Sequence, residues 1–337
     1  MPDTPADEYR AAVEDAALFD VSDRGKLELT GPDAPSFLHN LCTNDINGLA
    51  LGAGCEAFFT TAKAKVVGHA LIYHARLDGG RDALLLDVEP GKAEPLLKHL
   101  DRYLISEQVE LADRTADYAQ FHLAGPRAKA VLERALGEPA PDLGELQHME
   151  RTFGLNATCH VRRHDPLGLP GYDIVCRRER AEGVRGMLTA AGARPAGAAT
   201  YETLRVEAGT PVEGRDFDEN RFVVEVGRGP RAISYAKGCY LGQEPIVMAR
   251  DRAGHVNRAL MGLLLGDGGG PVPAGAKVFR DGAEVGVVTS SAVSLRAGGP
   301  VALAYLRRGH QEPGTAVEVE TPEGRRPAVV RGLPIVS

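Results

Sequence analysis

Leu29-Thr30-Gly31-Pro32-Asp33-Ala34-Pro35-Ser36-Phe37-Leu38 and Leu123-Ala124-Gly125-Pro126-Arg127-Ala128-Lys129-Ala130-Val131-Leu132 follow one pattern, Leu-x-Gly-Pro-x-Ala-x-x-x-Leu. A β-type segment leads into each copy, at 26–30 and 118–123. Gly then breaks the strand. Pro suits a helix start, because its φ is already helical and its missing N–H has no helical partner there. Apolar residues follow at helical spacing: Ala34, Phe37, Leu38 and Leu41 in one copy, Ala128, Val131, Leu132 and Leu136 in the other. Downstream, 66–73 and 83–88 read as strands and 92–104 as a helix; 157–162, 172–177 and 180–191 repeat that order. Strand–helix–strand–strand–helix thus occurs twice, over 24–113 and 117–194. The pattern predicts a duplicated α+β lobe, with helices on one face of a mostly antiparallel sheet.

Beyond the repeat, 199–209 reads as a helix, and the chain up to 242 is irregular and rich in glycine and charge. Long irregular segments inside compact domains are usually functional. From 255 onward, short apolar runs at 260–265, 277–280, 284–289, 301–305, 316–320 and 327–330 alternate with Gly, Pro and Asp281-Gly282 turns. That spacing predicts a small all-β barrel or sandwich. The expected domains are a first α+β lobe at 1–116, a second at 117–254 and a C-terminal β-barrel at 255–337.

The 337 residues are 43% hydrophobic and 25% charged, with a net charge of −7. These values exclude a disordered tail, a collagen-like fibre and a membrane span. They also argue against a nucleic-acid partner, which needs a basic stripe. The five cysteines, at 42, 55, 159, 176 and 239, form no CxxC pair, and the ten histidines form no HxH or HExxH. No metal site is expected. Scattered thiols and a polar, acidic start without a signal pattern point to a cytoplasmic protein with no membrane partner.

The segment that stands out chemically is Lys237-Gly238-Cys239-Tyr240-Leu241-Gly242-Gln243-Glu244. Two glycines bracket a thiol, and Lys237 offers a cation that would favour the reactive thiolate. Gln243 and Glu244 supply an amide and a carboxylate for a polar ring. Two readings stand on the residues alone: a reactive Cys239, or a cysteine packed in a tight turn.

The octet resembles the signature of the YgfZ-type folate-binding proteins, Lys-Gly-Cys-Tyr-x-Gly-Gln-Glu, a branch of the aminomethyltransferase (glycine-cleavage T-protein) superfamily. The likeness extends to Phe19-Asp20-Val21-Ser22, to Leu204-Arg205-x-Glu207-x-Gly209, to the stretch from Arg252 to Arg258, and to Ala302-Leu303-Ala304-Tyr305. The resemblance implies a three-part ring with a central channel for tetrahydrofolate or a one-carbon-substituted folate. It implies a role in making or repairing iron–sulfur clusters in client enzymes, with Cys239 as the working thiol beside Lys237. It implies a cofactor site drawn from Glu207, for the pterin edge, with Arg205, Tyr240, Gln243 and Glu244. Arg231 and Arg228 are available for the glutamate tail, and His255 for the channel.

The T-proteins themselves use an Asp after an Asn-x-x-Gly turn. Here Thr61 and Ala64 replace Asn and Gly, and Gly68 or His69 falls where that Asp would be. No carboxylate occurs between Glu56 and Asp78. His69 on an apolar strand reads more simply as a satisfied interior or edge residue. The alternatives kept open are an aminomethyltransferase or folate-dependent demethylase, and a non-catalytic folate-binding scaffold. Oligomeric state is not readable from the sequence.

Overall fold

The computed structural model describes residues 4–77, 80–140, 142–250, 256–266 and 269–336. Arg252 and His255 lie outside the described residues. The chain forms two compact units: Met1–Asp165, Leu169–Gly197 and Pro230–Gln243 in the first, and Pro166–Gly168, Ala198–Gly229 and Glu244–Ser337 in the second.

The first unit runs α1 (Pro5–Glu14), β1 (Ala17–Asp20), β2 (Gly25–Thr30), α2 (Ala34–Leu41), β3 (Gly54–Thr60), β4 (Val66–Arg76), β5 (Asp82–Val88), α3 (Ala93–Asp101) and β6 (Glu110–Asp113). It continues with β7 (Tyr118–Ala124), α4 (Ala128–Leu136), β8 (His148–Phe153), β9 (Ala157–Arg163), β10 (Gly171–Arg177), α5 (Ala181–Ala190) and β11 (Arg194–Ala196). Its sheets are ordered β3-β4-β5-β2-β6 and β8-β9-β10-β7-β1-β11. With β1 set aside, the second order repeats the first strand for strand. The duplication is therefore topological. Each copy also holds two strands that the apolar pattern did not reveal, β3 and β6 or β8 and β11. β8 buries only its two end residues, His148 and Phe153, so its sequence carries no apolar run.

The motif glycines are required by geometry in both copies. Gly31 has φ +113° and Gly125 φ +134°; a Cβ would lie 2.1 Å from Gln108 O and 2.4 Å from Asp15 O respectively. Gly31→Ala is expected to destabilise the protein by about 3 kcal/mol, from left-handed strain plus displaced backbone. Urea denaturation measures it, and a loss under about 1 kcal/mol would show that the turn adapts.

The helix-side faces form two cores. Phe37, Leu38, Leu96 and Leu100 pack on Leu27, Leu29, Ile72, Leu84 and Leu86. Val131, Leu132, Val184 and Leu188 pack on Phe121, Leu123, Val161 and Ile174. Each such side chain contributes about 1.5–3 kcal/mol. Strand alternation sends Lys26 and Glu28 to the opposite face, where Asp87, His148, Arg162 and Asp173 are also buried.

Two placements differ from the sequence expectation. β1, assigned with residues 1–116, pairs antiparallel with β7 and parallel with β11, completing the second sheet. Ala17, Leu18 and Phe19 are all buried, so this strand is covered on both faces, while β7 and β11 pair with its two edges. Ala198–Gly229, assigned with 117–254, belongs to the second unit.

That unit contains α6 (Ala198–Ala208), β12 (Arg258–Leu265), β13 (Lys277–Arg280), β14 (Ala283–Ser294), β15 (Gly299–Arg307), β16 (Ala316–Thr321) and β17 (Gly324–Arg331). The six strands close into an antiparallel barrel, β12-β15-β14-β13-β16-β17, filled by Leu263, Val278, Val288, Leu306, Val319 and Val330. Closure leaves no edge strand to protect. The α+β class, with two sheet lobes and a C-terminal barrel, is the one expected.

Candidate functional site

The octet is held against the first lobe by backbone geometry. Thr43 Oγ1 donates to Ala232 O at 2.6 Å and accepts from Phe58 N at 2.9 Å. Leu241 N donates to Asn40 O at 3.0 Å, and Thr60 Oγ1 donates to Leu241 O at 2.6 Å. Gly242, at φ +86°, could not carry a Cβ, which would lie 2.3 Å from Thr60 Oγ1.

Lys237 is buried, and its ammonium donates to His39 O, to Cys42 O at 2.8 Å and to Asn44 O at 2.9 Å. These carbonyls lie at the C-terminal end of α2, where orphaned acceptors and the helix dipole favour a cation. An ammonium has three donors, and all are used here. Burial holds the Lys237 pKa below its ordinary value. The sequence reading gave Lys237 the task of favouring the Cys239 thiolate. The structure instead makes it the tether of the octet, with its charge also 4.7 Å from the Tyr240 ring centroid. Tyr240 is buried, Gln243 is half-buried with its N–H donated to Tyr240 O, and Glu244 is exposed.

Of the five cysteines only Cys239 is exposed. Burial pushes the Cys42 thiol up to about 11 and Cys55 to about 12, so these two are inert at neutral pH. Cys239 is the accessible thiol of the loop.

Beside this loop stands a pair that the sequence reading did not assemble. His69 on β4 faces Phe58 on β3, and its Nε2 lies 2.9 Å from Oε1 of the buried Glu56. Asn44 Nδ2 donates to Glu56 O at 2.8 Å and to Arg231 O at 3.1 Å. Arg231, offered above to a folate tail, sits between two carboxylates: Nε is 3.7 Å from Glu56, and NH2 is 2.6 Å from Glu145. Ala64 takes φ +55°, so the β3–β4 turn keeps a left-handed residue without glycine, at a cost of about 1–2 kcal/mol. Glu56 and His69 are diagonal neighbours on one face of the β3–β4 hairpin, and their spacing across it was the available signal for the pair.

In the second unit, Glu207 is fully buried on α6, and its Oε2 accepts from Arg296 Nε at 3.0 Å and NH2 at 2.5 Å. Arg205 is 1% exposed, and all five of its N–H groups are used. They go to both oxygens of Glu202, to Thr210 O, to Asp216 Oδ2 and to Ser290 Oγ. A saturated guanidinium has nothing left to offer a ligand. Arg205, assigned to the cofactor from sequence, instead ties α6 to β14. Among the described residues no cluster of three His, Cys, Asp or Glu could hold a metal ion, and no helix is long and apolar enough to cross a membrane.

Comparison with known families now bears on these features. Residues 1–235 match the GCVT N-terminal domain, and 258–336 match the glycine cleavage T-protein C-terminal barrel domain. The chain belongs to the glycine-cleavage T-protein (aminomethyltransferase) superfamily. T-protein relatives cover it almost end to end. A probable aminomethyltransferase of Natronomonas pharaonis is 31% identical over 97% of this chain and 89% of its own length. A putative chloroplastic transferase of Arabidopsis thaliana is 30% identical over 90% of this chain and 68% of its own. The solved aminomethyltransferase T of the Bartonella henselae glycine cleavage system shares the T-protein fold, with a TM-score of 0.86 at 24% identity, over 98% of this chain and 88% of that one.

Proposed function

We propose that this chain binds a reduced folate and carries out one-carbon transfer of the aminomethyltransferase kind. The observation that carries the reading is Glu207, a fully buried carboxylate that accepts two N–H groups from one guanidinium edge. Both donors reach one oxygen, Oε2; a pterin presents a parallel pair of its own, its ring N–H and amino group, which would take the carboxylate in place of Arg296. Bound folate supplies the nitrogen that takes or gives the one-carbon unit. The names of the relatives support transfer chemistry.

Proton handling then falls to this chain's own groups. β4 carries no Asp or Glu. Gly68 or His69 falls where T-proteins have their Asp; His69 is the one with a side chain that can carry a proton, and Glu56 orients its ring. Purified protein given tetrahydrofolate and an aminomethylated carrier protein is expected to turn over. His69→Gln should lower kcat by about a hundredfold with KM little changed. Undiminished turnover by that variant would remove His69 from the role.

The octet favours a second reading, a YgfZ-type accessory protein for iron–sulfur enzymes, because its one thiol is exposed. Tetrahydrofolate binding without turnover would favour this reading. Complementation of a strain lacking the protein then tests it: Cys239→Ala should fail to restore cluster-enzyme activity, and full restoration would exclude the thiol.

A further inference from the structure

A cleft of about 430 Å³ opens in the first unit between residues of β2 and its neighbouring loops on one side and residues of β7, β9 and β10 on the other, and its lining includes neither the octet nor the Glu56–His69 pair. That volume lies in the range of small-molecule sites, about 300–1,000 Å³. Glu28, Arg114, Tyr118, His160, Arg177 and Arg180 line it. A narrow void bounded also by Lys26 and Arg162 shares Glu28, Arg114, Tyr118 and His160 with the cleft.

The charges on its walls are unevenly spent. Arg114 is 3.2 Å from Glu28. The Arg177 guanidinium lies 4.7 Å from the Tyr118 ring centroid, and Arg180 reaches only the Asn156 amide oxygen, at 3.4 Å. Among the described residues neither Arg177 nor Arg180 has a carboxylate partner. Arg162, which bounds the narrow void and not the cleft itself, is 3% exposed and donates from NH1 to Asp87, but its Nε has no acceptor, and His160 Nδ1 has no partner either. Burial, then the Arg162 charge, drive the His160 pKa down to about 3, so that ring is neutral. Buried polar groups without partners are rare and costly in a closed protein, and these two lie next to the cleft.

We propose that this cleft binds a small organic anion carried on a planar group, of nucleoside monophosphate class, with the anion on Arg177 and Arg180 and the plane against the Tyr118–Arg177 stack. Arginine forks match phosphate oxygens in pairs and stack on flat rings. Three carboxylates also line the cleft: Glu28 is taken by Arg114, and Glu150 and Glu179 are acceptors for sugar hydroxyls.

Titration calorimetry of the full chain tests this with AMP, adenosine and inorganic phosphate as probes. AMP is expected to bind with a submillimolar Kd, and adenosine and phosphate each at least tenfold more weakly. The double variant Arg177→Gln, Arg180→Gln changes only exposed side chains. It should weaken AMP at least tenfold while leaving tetrahydrofolate binding and the thermal midpoint unchanged. No AMP binding at millimolar concentration, or equal AMP affinity in the double variant, overturns the proposal. Phosphate as tight as AMP overturns the planar half of it.

Discussion

Replacing Asp87 by Ala is expected to lower the unfolding free energy by about 3–5 kcal/mol. Asp87 is 1% exposed, on the face of β5 turned away from the helices. It accepts from Arg24 Nε at 2.5 Å and from Arg162 NH1 at 3.3 Å. Lys26 is its register partner on β2 and donates to Arg24 O at 2.7 Å. Burial alone would raise the Asp87 pKa. Attraction to Arg24, Lys26 and Arg162 outweighs it and holds the carboxyl below its ordinary value. Removing the anion leaves Arg162 and Lys26 buried with one counter-charge fewer, and that is the source of the large cost. Arg162 belongs to β9 and Asp87 to β5, so the same ion pair joins the two sheets of the duplicated lobes. Urea denaturation reads the change as a shifted midpoint at constant slope. A loss below about 1 kcal/mol would mean that water enters and solvates the stranded cations.

Stability is also expected to fall as pH drops from about 6.5 to about 4, a loss that begins well above the usual carboxylate range. Burial, then the Arg162 charge, push the His148 pKa down to about 4 and that of His160 to about 3. In the unfolded chain both rings take up protons near 6.5. Between those values the unfolded state binds more protons, so acid favours it. His148 alone accounts for about 3 kcal/mol across that interval. Lowered pKa values at His39 and His99 act in the same direction. Below about 4 the depressed carboxyls of Asp87 and Asp173 add a further loss, because their stabilisation is present above the unfolded pKa and disappears as they protonate. Lys26 acts with the same sign on the alkaline side: burial lowers its pKa to about 8, so stability rises with pH between there and 10.5. Unfolding free energies measured from pH 4 to 7 check this. The double variant His148→Gln, His160→Gln should flatten the slope, and an unchanged slope would assign the acid sensitivity to other groups.

Parts of the candidate site were legible for a local reason. The octet is contiguous, and its glycines announce tight backbone. Gly242 does take a positive φ against Thr60 and Thr61. The partners of its side chains were not legible. Lys237 finds its acceptors near residues 39–44, almost two hundred positions earlier in the chain. Arg205 looked like part of a ligand motif because it lies two residues before Glu207. Its five donors are consumed by groups whose proximity follows only from packing α6 on the barrel.

The amino-acid pattern by itself determined the twice-used lobe, the barrel after it and the family, since strand and helix periods, turn glycines and a contiguous motif are all written within a few residues. Tertiary structure alone decided that β1 completes the second sheet, and that the charged faces of both sheets are buried. Alternation in Lys26-Leu27-Glu28-Leu29 separates two faces but does not say which one meets water. That depends on whether a second sheet covers it, and the covering strands β8–β10 lie more than a hundred residues downstream.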